Sequence, residues 1–143
     1  MSDALQSLTY APFAQPSPGQ IHYVSALGFE PTLARLKAAI EASGLWIIHQ
    51  IDPQRLLAQG GYDVLPIRQI LFFHPRFAAR ILELSPNGLM EAPLKLVVLE
   101  RPDGTVSIFH PDVEPQFARY PGLETLGTEL SLLCRQIVEP LAV

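Results

Sequence analysis

Cysteine is nearly missing from this sequence: Cys134 is the only one in 143 residues. No intrachain disulfide can therefore form, and a multi-cysteine metal site is excluded. Charge is scarce as well. Asp, Glu, Lys and Arg make up 17% of the chain, against a usual ~25%, so the surface cannot be a dense lattice of ion pairs and some apolar surface is left for a partner subunit. The ten basic residues are scattered, and the formal net charge is −4. Nucleic-acid duplexes are held chiefly by Lys and Arg neutralising phosphates, so no nucleic-acid partner is expected. Long apolar runs are absent too. None approaches the ~20 residues that span a bilayer, and no basic segment followed by an apolar one opens the chain. The expectation is no membrane partner and a cytoplasmic location.

Apolar side chains are what the sequence has in plenty, at 48% hydrophobic. A chain of this length fits one domain and hides roughly two-thirds of the surface its unfolded form exposes, enough for a core without staples. Residues 1–19 stand apart. Between Ala11 and Gly19 lie Pro12, Pro16 and Pro18, which remove backbone donors and forbid a regular helix. This reads as an extended arm, either loosely ordered or laid over a dimer partner through Tyr10 and Phe13. Residues 20–143 form the domain proper.

Within it, Ile21–Ala26 alternates as a strand. Phe29, Leu33, Leu36 and Ile40 recur at helical spacing, with Pro31 in the first turn and Gly44 just past the end, the expected start and stop signals. Leu45–Ile51 is short and rich in β-branched and aromatic residues: a strand. Asp52-Pro53 turns into a brief helix that ends at Gly60-Gly61. Ile67–Phe73 is a third strand, closed by His74-Pro75. Phe77, Ile81 and Leu84 give two helical turns, ended by Ser85-Pro86-Asn87-Gly88. Leu94–Glu100 and Thr105–His110 are strands joined by the turn Arg101-Pro102-Asp103-Gly104. Leu123, Leu126, Leu130, Leu133, Cys134 and Ile137 mark one face of a terminal helix. The major elements run β-α-β-β-β-β-α, an α+β chain.

Several phrases in this order resemble the bacterial and archaeal "domain of unknown function 302" (DUF302) family over roughly residues 20–138: Phe29…Leu36 leading to Gly44, Ile51-Asp52 opening a helix, Arg68-Gln69-Ile70-Leu71-Phe72-Phe73-His74-Pro75, and Ala92-Pro93-Leu94-Lys95-Leu96. The resemblance implies a two-layer fold, a curved antiparallel sheet of about five strands with two long helices on one face, similar to the TATA-binding-protein fold and commonly a homodimer. Two positions depart from the family pattern. Pro53 stands where relatives often have His, and Ala92 replaces the first residue of a Leu-Pro-Leu-Lys phrase.

No nucleophile elbow, phosphate loop or zinc-type His/Cys spacing is present, no cofactor is evident, and no catalytic set stands out; the chain leans away from being an enzyme. A βαβ crossover would make the first two strands parallel; with the later strands antiparallel, one end of the sheet would gather His22, His74, Glu91, Lys95, His110 and Asp112, with His49 and Asp52 toward the other. Each has an ordinary explanation. His74 and His110 precede prolines at strand ends, His22 is a solvated strand residue, and Cys134 is a small hydrophobe on a helix face. Lys95 is the sharpest candidate, because its ammonium sits early in an apolar strand and must reach water, a ligand or a carboxylate such as Glu91 or Asp112. Three readings follow: a non-enzymatic homodimer that binds a small ligand or a protein partner; a metal protein, or metal-assisted enzyme, using His74 and His110 with His22 or a carboxylate; and an enzyme in which Lys95 steers an anion while a His acts as base.

Overall fold

Strands form where β-branched and aromatic residues cluster, and chain breakers end them. The computed structural model describes residues 4–13 and 17–143. In chain order these give β1 (Gln6–Ser7), β2 (Gln20–Val24), α1 (Phe29–Ala42), β3 (Trp46–Ile51), α2 (Pro53–Gln59), β4 (Tyr62–Asp63), β5 (Ile67–Phe73) and α3 (Pro75–Leu84). A 3-10 helix (Pro86–Glu91), β6 (Leu94–Glu100), β7 (Val106–Pro111), α4 (Val113–Ala118), α5 (Glu124–Val138) and a last 3-10 turn (Glu139–Leu141) complete them. One five-stranded sheet has the order β2-β7-β6-β5-β3, and each neighbouring pair is antiparallel. The fold is α+β, as expected.

The pleat sorts side chains by face. On β6, Leu94, Leu96 and Val98 are buried, whereas Lys95 between them is exposed. The buried face is met by α1, through Phe29, Leu33, Leu36 and Ile40, and by α5, through Leu126, Leu130, Cys134 and Ile137. Both sets recur at three- and four-residue intervals, which is why these segments are helices with one stripe inward. Leu36, Ile40, Ile70, Phe72, Leu96, Ile108, Leu130 and Ile137 have no accessible surface; burying each contributes about 1.5–3 kcal/mol.

Local chemistry fixes the ends of the helices. At the end of α1, the Ser43 hydroxyl donates to the Ala39 carbonyl at 2.8 Å. Gly44 follows at φ +76°, a left-handed conformation in which only glycine is unstrained. Pro75 opens α3, where its missing N–H costs nothing. Ser25 leaves β2 to bond Thr32 of α1 hydroxyl to hydroxyl at 2.6 Å, a buried contact. Past Val24 the Ser25 N–H still donates to the Val106 carbonyl at 2.8 Å, but the Ala26 N–H turns to the Leu141 carbonyl at 2.8 Å, so the ladder with β7 stops short of Ala26.

Two features lay beyond the sequence pattern. Residues 113–118 form α4, and β1 pairs in parallel with β4. Through that pairing, the described part of the arm lies on its own chain. Tyr10 meets Phe13 edge-on at 6.2 Å, and Phe13 covers the Arg101 guanidinium at 4.5 Å. Ala14, Gln15 and Pro16 of the expected arm, like Met1–Asp3, lie outside the described residues. Among the described residues no helix is long and apolar enough to cross a membrane.

Candidate functional site

The sheet brings most of the candidate residues to one end. β5 and β7 finish there, while β2, β3 and β6 begin there. At that end two neighbouring strands part. The β6–β7 ladder stops at Val97 opposite Phe109, yet β6 continues to Leu94 beside β5 and β7 continues to Pro111 beside β2. A cavity of about 250 Å³ opens in the gap, lined by Glu91, Leu94, Lys95, His110, Gln116 and Cys134 among others. Its walls come from the 3-10 helix, both parted strands, α4 and α5.

His110 is the most constrained group on that wall. It is 5% exposed and stacks against Tyr23, the rings inclined by 27° with centroids 6.1 Å apart. Its Nδ1 stands 2.7 Å from the Pro111 carbonyl oxygen. A carbonyl only accepts, so Nδ1 carries the proton. In the neutral ring Nε2 then holds the lone pair, and that atom is buried with no hydrogen-bond partner among the described residues. Burial lowers the His110 pKa from its ordinary 6.5; the Pro111 hydrogen bond and the Asp112 charge oppose that shift.

This direction carries a prediction for stability. The unfolded ring takes up a proton as pH falls through 6.5, while the buried ring resists it. Protonation therefore favours the unfolded chain, and stability drops from pH 6.5 downward until the folded ring also titrates. His110→Asn keeps a donor for Pro111 and removes the titration. Wild type measured against this variant by urea unfolding is expected to lose up to ~1.4 kcal/mol per pH unit below pH 6.5 and nothing above it. A flat difference across that range would mean the ring is not held neutral.

The other candidates are spread differently. Lys95 is exposed and is one of the residues that line the cavity. Of the two carboxylates expected to pair with it, Glu91 is engaged elsewhere. Glu91 accepts from the Tyr120 hydroxyl at 2.6 Å and from Arg119 at 3.1 Å, so Lys95 makes no ion pair among the described residues. Asp112 follows β7, and its backbone N–H donates to the Gly19 carbonyl at 2.8 Å. His74 caps α3, its Nδ1 accepting from the Arg76 N–H at 3.0 Å, and packs edge-on against Trp46. His22 lies on the opposite sheet face, its Nε2 accepting from Arg101 at 2.9 Å. At the far end, Asp52 caps α2 and pairs with Arg68 at 2.9 Å, while His49 is exposed on β3.

Among the described residues, no three His, Cys, Asp or Glu side chains stand close enough together to hold a metal ion. His74, His110 and His22 are therefore not gathered into one set. Sequence reasoning missed Gln116 and the placement of Cys134 on the cavity wall. No local signal marks either one, because the cavity joins segments far apart in the chain. Burial pushes the Cys134 thiol up to about 12, so it stays protonated at neutral pH.

No functionally curated protein matches the sequence. Among solved structures, the chain is similar to the crystal structure of an uncharacterized conserved DUF302 protein from Bacillus stearothermophilus. The two share 20% sequence identity and a TM-score of 0.79, with 87% of this chain and 99% of that one covered. At that identity the likeness is one of fold. The family model described as "Domain of unknown function DUF302" matches residues 21–139. The chain thus belongs to the DUF302 family.

Proposed function

We propose that this protein is a non-enzymatic, homodimeric binding module whose small ligand enters the cavity between β6 and β7. The observation that carries this reading is the cavity of about 250 Å³ that opens where β6 and β7 part, with Lys95 and His110 among its lining residues. Self-association is supported by β3. It forms one edge of the sheet and exposes Trp46 by 56% and Ile48 by 52%. An edge strand with bare apolar side chains invites pairing.

Native mass spectrometry of the protein purified without added ligand tests both parts of the reading. The expected spectrum shows twice the chain mass plus a small adduct that collisional activation removes. A bare monomer at micromolar concentration would sink the proposal.

A further inference from the structure

An antiparallel sheet with helices on one side normally turns polar side chains toward water on the other. The outer face of this sheet does not follow that pattern. On β6, Leu94, Leu96 and Val98 point inward, so Lys95, Val97 and Leu99 point away from α1 and α5. The ladders carry that face to either side. Val97 stands between Gln69 of β5 and Phe109 of β7, Leu99 stands between Ile67 and Ser107, and Lys95 lies beside Leu71. Leu71, Val97, Leu99 and Phe109 are half-buried, yet none of them joins the core cluster. One corner is covered by the chain itself. There Arg101 donates to the Ser107 hydroxyl and to Nε2 of His22, Phe13 of the arm lies over its guanidinium, and Ser107 has no accessible surface. The apolar centre around Val97 keeps part of its surface accessible.

Resting on the homodimer proposed above, we infer that a second copy of the chain packs on this outer face, sheet against sheet. Charge favours that occupant. The chain carries a net −4, but the outward positions of β5, β6 and β7 include no Asp or Glu, so two copies repel least through this face. Size is sufficient. Five strands at ~4.8 Å spacing and roughly 20 Å length present a flat area of about 480 Å². Two such faces together reach the ~1,000 Å² that a specific interface must clear, once the relief of the side chains is added. Symmetry disposes of the remaining charge. β6 is the middle strand, and Val97 lies midway between Lys95 and Leu99. A two-fold axis crossing the strands at Val97 stacks the two apolar centres, with the strands aligned as in a β-sandwich. It also sends the two Lys95 ammoniums to opposite rims, where both stay in water. Edge-to-edge pairing through β3 is the weaker arrangement. Its register shifts between Ile47 and His49, and such an irregularity blunts an edge.

Sedimentation velocity of the full-length protein at micromolar concentration tests this, comparing wild type with Val97→Lys and Ile48→Lys. Wild type and Ile48→Lys are expected to sediment as dimers. Val97→Lys should raise the dimer's Kd by about a hundredfold, because symmetry buries the new ammonium twice. Wild type alone supplies a second measurement. On dilution through dissociation, the methyl resonances of Leu71, Val97 and Leu99 should shift, while the amides of Ile48 and Gln50 stay in place. A Val97→Lys dimer as tight as wild type, with those methyls unmoved on dilution, would place the interface elsewhere and leave the homodimer standing. Loss of the dimer in Ile48→Lys alone would overturn the inference in favour of the β3 edge. A wild-type monomer throughout would remove the homodimer itself, and this interface with it.

Discussion

Phe72→Ala is expected to cost about 3–5 kcal/mol, a large share of the ~5–15 kcal/mol that holds a domain together. Phe72 has no accessible surface. It stands on β5, opposite Ile47 of β3 on one side and Leu94 of β6 on the other. Truncation there loses the transfer energy of a whole ring and leaves a cavity that two hydrogen-bonded neighbours prevent from collapsing. Trp46, the larger aromatic, is the control. It lies on the edge strand opposite Phe73 and is 56% exposed, so Trp46→Ala should cost the monomer under ~1 kcal/mol. Urea unfolding of the two variants gives the comparison. Equal midpoints would mean that the core is not where the buried faces of β5 and β6 place it.

That contrast marks a limit of what the sequence reveals. Both residues sit in short runs of β-branched and aromatic side chains, and nothing local separates the strand buried on the helix side from the strand at the edge. Elements whose periodicity is self-contained were legible: the stripe Phe29, Leu33, Leu36, Ile40, the terminal helix, and the hairpin closed by Arg101-Pro102-Asp103-Gly104. α4 was not. In a helix of six residues, two buried positions, Val113 and Phe117, are too few to establish a period. β1 and β4 were illegible for a related reason. Each is two residues long and owes its existence to the other.

The site divides in the same way. Alternating strand direction was enough to bring Lys95, His110 and Glu91 to one end of the sheet. Their relations at that end depend on where a ladder stops. Had β6 and β7 stayed paired past Val97 and Phe109, there would be no gap for His110 to line. The partners of Glu91, Arg119 and Tyr120, lie in the α4–α5 connection, where no sequence pattern links them to it. Helix capping decided the opposite outcome for His74 and Asp52. Each precedes a proline that opens a helix, and their side chains accept the N–H groups of Arg76 and Arg55. The ordinary explanation of a polar residue before a chain breaker accounts for them.

Gly127 gives the second large effect, and it links the packing of the helices to the cavity. The residue is buried in α5, against α4. A Cβ placed on it would lie 3.0 Å from the Cβ of Phe117 and 3.1 Å from the main-chain oxygen of Glu114. Neither atom can swing aside, since one is fixed to the backbone and the other belongs to it. For Gly127→Ala two effects oppose each other. A helix gains ~1 kcal/mol when alanine replaces glycine, and the tight contact takes much of that back, so the net change should stay within about 1 kcal/mol. Gly127→Leu keeps most of the propensity gain but forces a branched side chain between the helices, at a cost of about 1–3 kcal/mol or more from overpacking. Separation can relieve that strain only by moving α4, and α4 carries Val113 and Gln116 into the cavity lining. The leucine variant is therefore expected to unfold at lower urea and to shift the amide resonances of Val113, Gln116 and His110, while the alanine variant leaves them nearly in place. A leucine variant as stable as wild type, with an unchanged spectrum, would show that the two helices are not in close contact at Gly127.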